Sequence, residues 1–289
     1  MALSKFLDPK NDFAFKRIFG TEKNQDILID FINAVVGFEG DERIQTVSFL
    51  KTSQDPEIAY RKQSLVDVLC TDEQGRQYII EMQVARTAGF EKRAQYYAAK
   101  AYSRQLLQGE GYEKLKAIIF VAITDFVMFA GEADYKSRHR LLNDETYAHN
   151  LKDFSFTFLE LPKFKKTADE LDNLIERWVY FFKHAEETKE QDIAGIAGED
   201  PAILRAYEEL NRFSWTEIEL NTYESEEKRE RDEQAVLAAK LEDAEARGEA
   251  KNARAVARNL LLLGGLSVEA ISSVTKLTVE EINAIQSSL

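Results

Sequence analysis

A single cysteine, Cys70, in 289 residues excludes an intramolecular disulfide framework, and three histidines are too few for a zinc ribbon or finger. A reducing cytosol fits that usage. No apolar stretch follows the start between Met1 and Lys10, and the longest apolar runs, Ala117 to Thr124 and Leu260 to Leu263, fall far short of the ~20 residues of a membrane span. The expectation is a cytoplasmic protein that does not engage a membrane. Net positive charge is missing as well: 51 acidic against 38 basic residues leave -13, which argues against holding nucleic acid mainly by bulk charge. His139, His149 and His184 have neither ligand spacing nor a nucleophile partner, and no glycine-rich phosphate loop or nucleophile elbow occurs.

What the chain does have is enough apolar content, 44% hydrophobic with 11% aromatic, to bury a sizeable core. Its acidity is uneven. Residues 1–190 sum to -4, residues 191–250 to -10 and residues 251–289 to +1. The first of these segments alternates helical and strand patterns. Ile27, Leu28, Phe31, Ile32 and Val35 form the stripe of an amphipathic helix from Gln25 to Val36, stopped by Gly37. Strands are expected at Ile44 to Leu50, Ser64 to Thr71, Gln77 to Val84, Leu115 to Ile123 and Phe154 to Leu159. Helices are expected at Phe90 to Gln108 and Ala168 to His184. This is an α/β pattern, a mixed sheet with helices packed on it.

The remainder reads as all-helical: Pro201 to about Phe213, a long charged helix from Glu224 to Leu263 stopped by Gly264-Gly265, and two short helices opened by Ser267 and by Thr278 with Glu281 as a capping box. Three segments are therefore expected: a domain over 1–190, an acidic helical arm over 191–250, and a helical hairpin over 251–289. The hairpin could resemble a helix-turn-helix, but Glu280, Glu281, Asn283 and Gln286 suit DNA poorly, so oligomerisation through its apolar faces, as a homodimer, is the better expectation.

The most informative spacing is in the hairpin around Asp72-Glu73-Gln74-Gly75-Arg76. If Thr71 closes the loop opposite Gln77, Asp67 falls across from Glu81, and period 2 puts Gln83 on the same face. Two opposed carboxylates repel and are costly to desolvate. A hard divalent cation between them, Mg²⁺ or Mn²⁺, would offset both and keep waters for a phosphate substrate. A sheet-edge position for either carboxylate, or a pairing with an arginine such as Arg93, would answer the spacing equally well.

The pattern of Asp67, thirteen intervening residues and Glu81-Met82-Gln83, preceded by a helix and followed by one carrying Arg93, Tyr96, Tyr97 and Tyr102, resembles the PD-(D/E)XK nuclease superfamily. The run Lys10-Asn11-Asp12-Phe13-Ala14-Phe15-Lys16-Arg17-Ile18-Phe19-Gly20 narrows the resemblance to the Rpn group, recombination-promoting nucleases also described as PD-(D/E)XK family transposases of bacteria. Residues 5–160 carry it. The resemblance implies a restriction-endonuclease-like fold and a magnesium-dependent DNA endonuclease, with Asp67, Glu81 and the Met82 carbonyl as metal ligands. Gln83 stands where most of the superfamily has lysine, and Val66 replaces the proline. Glutamine cannot act as a cation, but it can orient an attacking water.

On the following helix, Arg93, Tyr97, Lys100 and Arg104 fall within about 60° of one another and could hold substrate phosphates, while Ala94, Ala98 and Ala101 would pack on the sheet. Asp12 and Lys16, one helical turn apart, could add an acidic or basic group from the first helix. An ordinary solvated face and a surface ion pair are the plain alternatives. Against the endonuclease reading stands a catalytically weak, nuclease-derived DNA- or protein-binding regulator, motivated by Gln83 and by the acidic balance.

Overall fold

The computed structural model describes residues 4–50 and 66–289. Asn11 opens helix α1 (Asp12–Phe19) by accepting the N–H groups of Phe13 and Ala14. Ala14, Phe15, Ile18 and Phe19 are buried, so the other side of this short helix presents Asp12 and Lys16. Helix α2 (Gln25–Val36) has the expected span, and Gly37 ends it in the left-handed region at φ 75°, where a side chain would be strained. Asn33 points inward from α2. Its amide accepts the Ile44 N–H at 2.9 Å and donates to the Ile44 carbonyl at 3.0 Å, which fixes the chain's return to strand β1 (Val47–Phe49).

Strands β2 (Val68–Asp72) and β3 (Gln77–Gln83) pair antiparallel with Thr71 opposite Gln77 and Val68 opposite Ile80, the expected register. Residues 64 and 65 of the expected strand lie outside the described residues. Asp72 builds the turn: one carboxylate oxygen accepts the N–H groups of Gln74 and Arg76, the other the Arg76 guanidinium and the Tyr78 hydroxyl. Strand β4 (Ile118–Thr124) runs parallel to β3, and β6 (Leu151–Glu160) parallel to β4. An additional strand, β5 (Lys136–Leu141), closes the far edge antiparallel to β6. Its sequence, Lys-Ser-Arg-His-Arg-Leu, has no apolar run to announce it; charge on an edge strand discourages pairing with other chains. The described residues thus form a six-stranded mixed sheet in the order β1-β2-β3-β4-β6-β5.

Helices cover both faces. Tyr78, Ile80, Met82, Val121, Ile123 and Leu159 face the larger core with α1, α2 and α4 (Leu174–His184). Ile79, Ile118, Phe120, Ala122 and Phe158 face helix α3 (Phe90–Ser103) through its buried Ala94 and Ala98. Every residue of β4 is buried, as a central parallel strand with two covered faces requires. Helix α3 stops five residues short of Gln108 because the Gln105 side chain bonds the main chain of Lys116 on both sides, at 2.7 and 2.9 Å, and draws the backbone toward β4. Helix α4 starts at Leu174 rather than Ala168: Asn173 caps it, after a separate turn at Ala168–Glu170 with its own capping box.

The division expected at residue 190 does not mark a structural boundary. Helices α5 (Ile193–Ala197) and α6 (Pro201–Glu209) bury Ile196, Ala197, Ile203, Ala206 and Tyr207 in the larger core, so the first compact unit is Met1–Glu227 and the second Lys228–Leu289. The boundary falls within helix α7 (Glu217–Leu263), which opens at the reciprocal Thr216 and Glu219 hydrogen bonds, seven residues before the expected start. In the second unit, α8 (Val268–Thr275) and α9 (Val279–Ser287) are capped by Ser267 and Thr278 as expected and gather Ala257, Ile271, Leu277 and Ile282. Among the described residues no helix is long and apolar enough to cross a membrane.

One half-buried carboxylate beside the larger core has a measurable consequence. Asp30 accepts the Trp178 indole N–H at 2.8 Å, and burial pushes its carboxyl up to about 6. Because the folded state binds this proton more tightly, the stabilisation is fully present below the ordinary carboxylate range and is lost as pH rises through about 6. Wild type should therefore lose stability relative to Asp30→Asn as pH rises from 4 to 7.5, on the order of 1–2 kcal/mol in urea unfolding once solvent screening is allowed for. A gap constant with pH would remove this assignment.

Candidate active site

Strand period and register put Asp67 and Glu81 at one end of the β2–β3 pair. The paired register ends at Val68 opposite Ile80, and continued by one residue it sets Asp67 across from Glu81. The regular ladder ends at Val68. Beyond it the Asp67 side chain replaces the main chain: Oδ2 accepts the Met82 N–H at 2.8 Å. In an extended strand the N–H and C=O of one residue face the same edge, so the Met82 carbonyl also faces this end of β2.

Cations surround the two carboxylates without neutralising them fully. Lys16 Nζ lies 3.7 Å from Asp67 Oδ1 and is held at 2.6 Å by Asp12. Arg93 Nη2 lies 3.9 Å from Glu81 Oε2 and donates to Gln83 Oε1, while Gln83 Nε2 donates to the Ala85 carbonyl at 2.8 Å. Glu81 Oε1 is buried and has no hydrogen-bond partner among the described residues. Burial pushes the Asp67 carboxyl up to about 6, against the pull of the Met82 N–H and Lys16. Burial, and next the Asp67 charge, hold Glu81 well above the usual carboxylate range. For Lys16 burial acts downward, but the Asp12 contact and the Asp12, Asp67 and Glu81 charges outweigh it and raise the ammonium.

The architecture is a mixed sheet with two carboxylates at the end of an antiparallel pair, with helices on both faces. The family model described as PD-(D/E)XK nuclease family transposase matches residues 9–240. The chain belongs to that family. No curated protein matches, and no solved structure does. Membership in the PD-(D/E)XK nuclease family transposases makes the chain a nuclease-family hydrolase related to transposition, and the six-stranded sheet with flanking helices is the family's restriction-endonuclease-like fold.

For a PD-(D/E)XK nuclease family transposase the question is which residues can hold a divalent metal. Among the described residues no three His, Cys, Asp or Glu side chains converge, so the side-chain donors are two, Asp67 and Glu81. Two carboxylates, a main-chain carbonyl and water make an oxygen set that suits Mg²⁺ or Mn²⁺, ions that keep several waters. The unpartnered Glu81 Oε1 is the strongest sign of fit, because a buried anionic oxygen left alone costs stability unless a cation meets it.

Asp67, Glu81, Gln83, Lys16, Asp12 and Arg93 come together, and Tyr97 stands beside them: burial first, then the Glu81 and Asp67 charges, raise its hydroxyl. Farther along the α3 stripe, Lys100 Nζ sits 5.6 Å from the Tyr96 ring, and Arg104 is the exposed cap after the helix has ended. The expected Arg93 pairing is present at 3.9 Å, but it engages only one oxygen of Glu81. Tyr96 and Lys92, which the stripe omitted, line a groove beside Arg93. Their i,i+4 spacing was the available signal.

Proposed function

We propose that the protein is a metal-dependent DNA endonuclease serving recombination or the movement of mobile elements, in keeping with the resemblance of Lys10 to Gly20 to the recombination-promoting nucleases. The observation that carries this reading is Glu81 Oε1, a buried carboxylate oxygen without a partner among the described residues, beside the second carboxylate of Asp67. Asp67, Glu81 and the Met82 carbonyl would hold Mg²⁺ or Mn²⁺, which when bound supplies charge against the scissile phosphate and acidifies a water. The Met82 N–H holds Asp67 in place. Arg93 and the Ala85 carbonyl fix the Gln83 amide, whose remaining lone pair and N–H can orient the attacking water. Lys16, steadied by Asp12, supplies the ammonium that Gln83 cannot, and Arg93 offers a guanidinium to a phosphate oxygen. The α8–α9 hairpin is assigned to self-association, since Val274 and Val279 are exposed on it and its last helix carries few groups suited to DNA.

The second reading, a regulator with little catalysis, is favoured by the engagement of both ends of the Gln83 amide. Purified protein should nick or linearise plasmid DNA with Mg²⁺ or Mn²⁺ and fail to do so in EDTA. The same ions should raise the melting temperature, because a ligand at a hundred times its Kd adds about 2.7 kcal/mol to folding. Metal-independent DNA binding with neither cleavage nor metal stabilisation would establish the regulator instead.

A further inference from the structure

The groove next to the carboxylates has a composition that phosphate binding alone does not require. Gly89, Phe90, Lys92, Arg93, Tyr96 and Tyr97 line an open groove of about 700 Å³, within the ~300–1,000 Å³ of pockets that hold drug-sized ligands and enough for an unstacked nucleotide. Tyr96 is 50% exposed, although a large aromatic ring is normally driven inward, and its ring centroid lies 6.0 Å from that of Tyr97 at 54°. The guanidinium of Arg93 lies 4.8 Å from the Phe90 ring and continues from the groove to Glu81. Charge is complementary to a nucleic-acid strand here and not in the chain as a whole. Residues 86–104 carry Arg86, Lys92, Arg93, Lys100 and Arg104 against Glu91 alone, in a protein of net charge -13.

From these observations we propose that the groove binds an unpaired nucleotide of a DNA strand, its base stacked on Tyr96 and its phosphate held between Lys92 and Arg93, so that the preferred substrate contains single-stranded or locally unpaired DNA beside the cleaved bond. This deepens the endonuclease reading and rests on it. In a duplex each base face is covered by its neighbours, so an exposed tyrosine ring has a face to stack on only where a base has left the stack. Aromatic stacking is also tolerant of sequence, because every base has a π-face. A wide phosphate-binding surface would be the alternative, and the acidic balance outside α3 opposes it.

The test is fluorescence anisotropy of the full-length protein in metal-free, low-salt buffer, with a labelled single-stranded oligonucleotide and with the same oligonucleotide annealed to its complement. Wild type should bind the single strand about tenfold more tightly than the duplex, Tyr96→Ala should lose most of that difference, and Tyr96→Phe should keep it, as expected for stacking. A single-stranded oligonucleotide containing 2-aminopurine should be quenched by wild type and by Tyr96→Phe, but not by Tyr96→Ala. Equal affinity for both forms, or a Tyr96→Ala variant that retains preference and quenching, would overturn the proposal. Plasmid cleavage is scored separately: cleavage with no single-strand preference rejects the groove and keeps the endonuclease, whereas preference and quenching without any cleavage keep the groove and reject the endonuclease.

Discussion

Glu81→Gln should reduce metal-dependent cleavage at least a hundredfold and, in metal-free buffer, raise the melting temperature. The two effects come from one cause. Glu81 is buried with one oxygen unpartnered, and burial together with the neighbouring Asp67 charge works against its ionised form. Replacing the carboxylate by a neutral amide leaves a polar group there but relieves the extra desolvation cost of the charge, on the order of 1–3 kcal/mol. For a domain of this length each kcal/mol corresponds to roughly 2–4 °C. The partner left behind loses little, since Arg93 is one-third exposed and keeps its bond to Gln83. Activity moves the other way: a lost metal ligand removes several kcal/mol of charge stabilisation, and each ~1.4 kcal/mol is tenfold in rate. Calorimetry and plasmid cleavage, each with and without Mg²⁺, should show the wild type gaining stability from the ion and the variant gaining none. A variant that melts lower in metal-free buffer would identify Glu81 as a structural partner of Arg93 rather than a metal ligand.

Phe19→Ala should cost about 3–5 kcal/mol, the range for truncating a fully buried phenylalanine. That is a large part of the ~5–15 kcal/mol that holds a typical domain together. Phe19 has no exposed surface, and its ring lies 5.0 Å from Phe15, 5.4 Å from Phe31 and Phe182, and 5.7 Å from Trp178, so its removal leaves a cavity bounded by four aromatic side chains. Collapse into that space would move α1, whose outer side carries Lys16 and Asp12 to the carboxylates. Urea unfolding should show a lower midpoint, and Phe19→Leu should recover part of the loss by refilling the cavity. A change below about 1 kcal/mol would mean that the cluster repacks freely around α1.

Several parts of the architecture could be read along the chain because their causes are local. The apolar stripe and Gly37 set α2 to the residue, and the Asp72 turn set the hairpin register that opposes Asp67 to Glu81. Ser267 and Thr278 likewise marked α8 and α9 by capping chemistry. Strand β5 was not legible, since Lys136 to Leu141 has no apolar period and becomes a strand only by pairing with β6. The early end of α3 was hidden for a similar reason: the Gln105 side chain finds Lys116, eleven residues away, and outcompetes helical continuation. The acidity of residues 191–250 suggested a helical arm, and the apolar side chains of α5 and α6 bury their part of it in the first unit.

The sequence by itself determined the α/β order, the carboxylate pair and the family motif, because strand period, turn chemistry and capping act over a few residues. Only the tertiary structure decided which charges meet that pair. Lys16 and Arg93 approach it from helices that precede and follow the hairpin. It also left Glu81 Oε1 buried and without a partner among the described residues, a consequence of close packing around β3 that no spacing along the chain reveals.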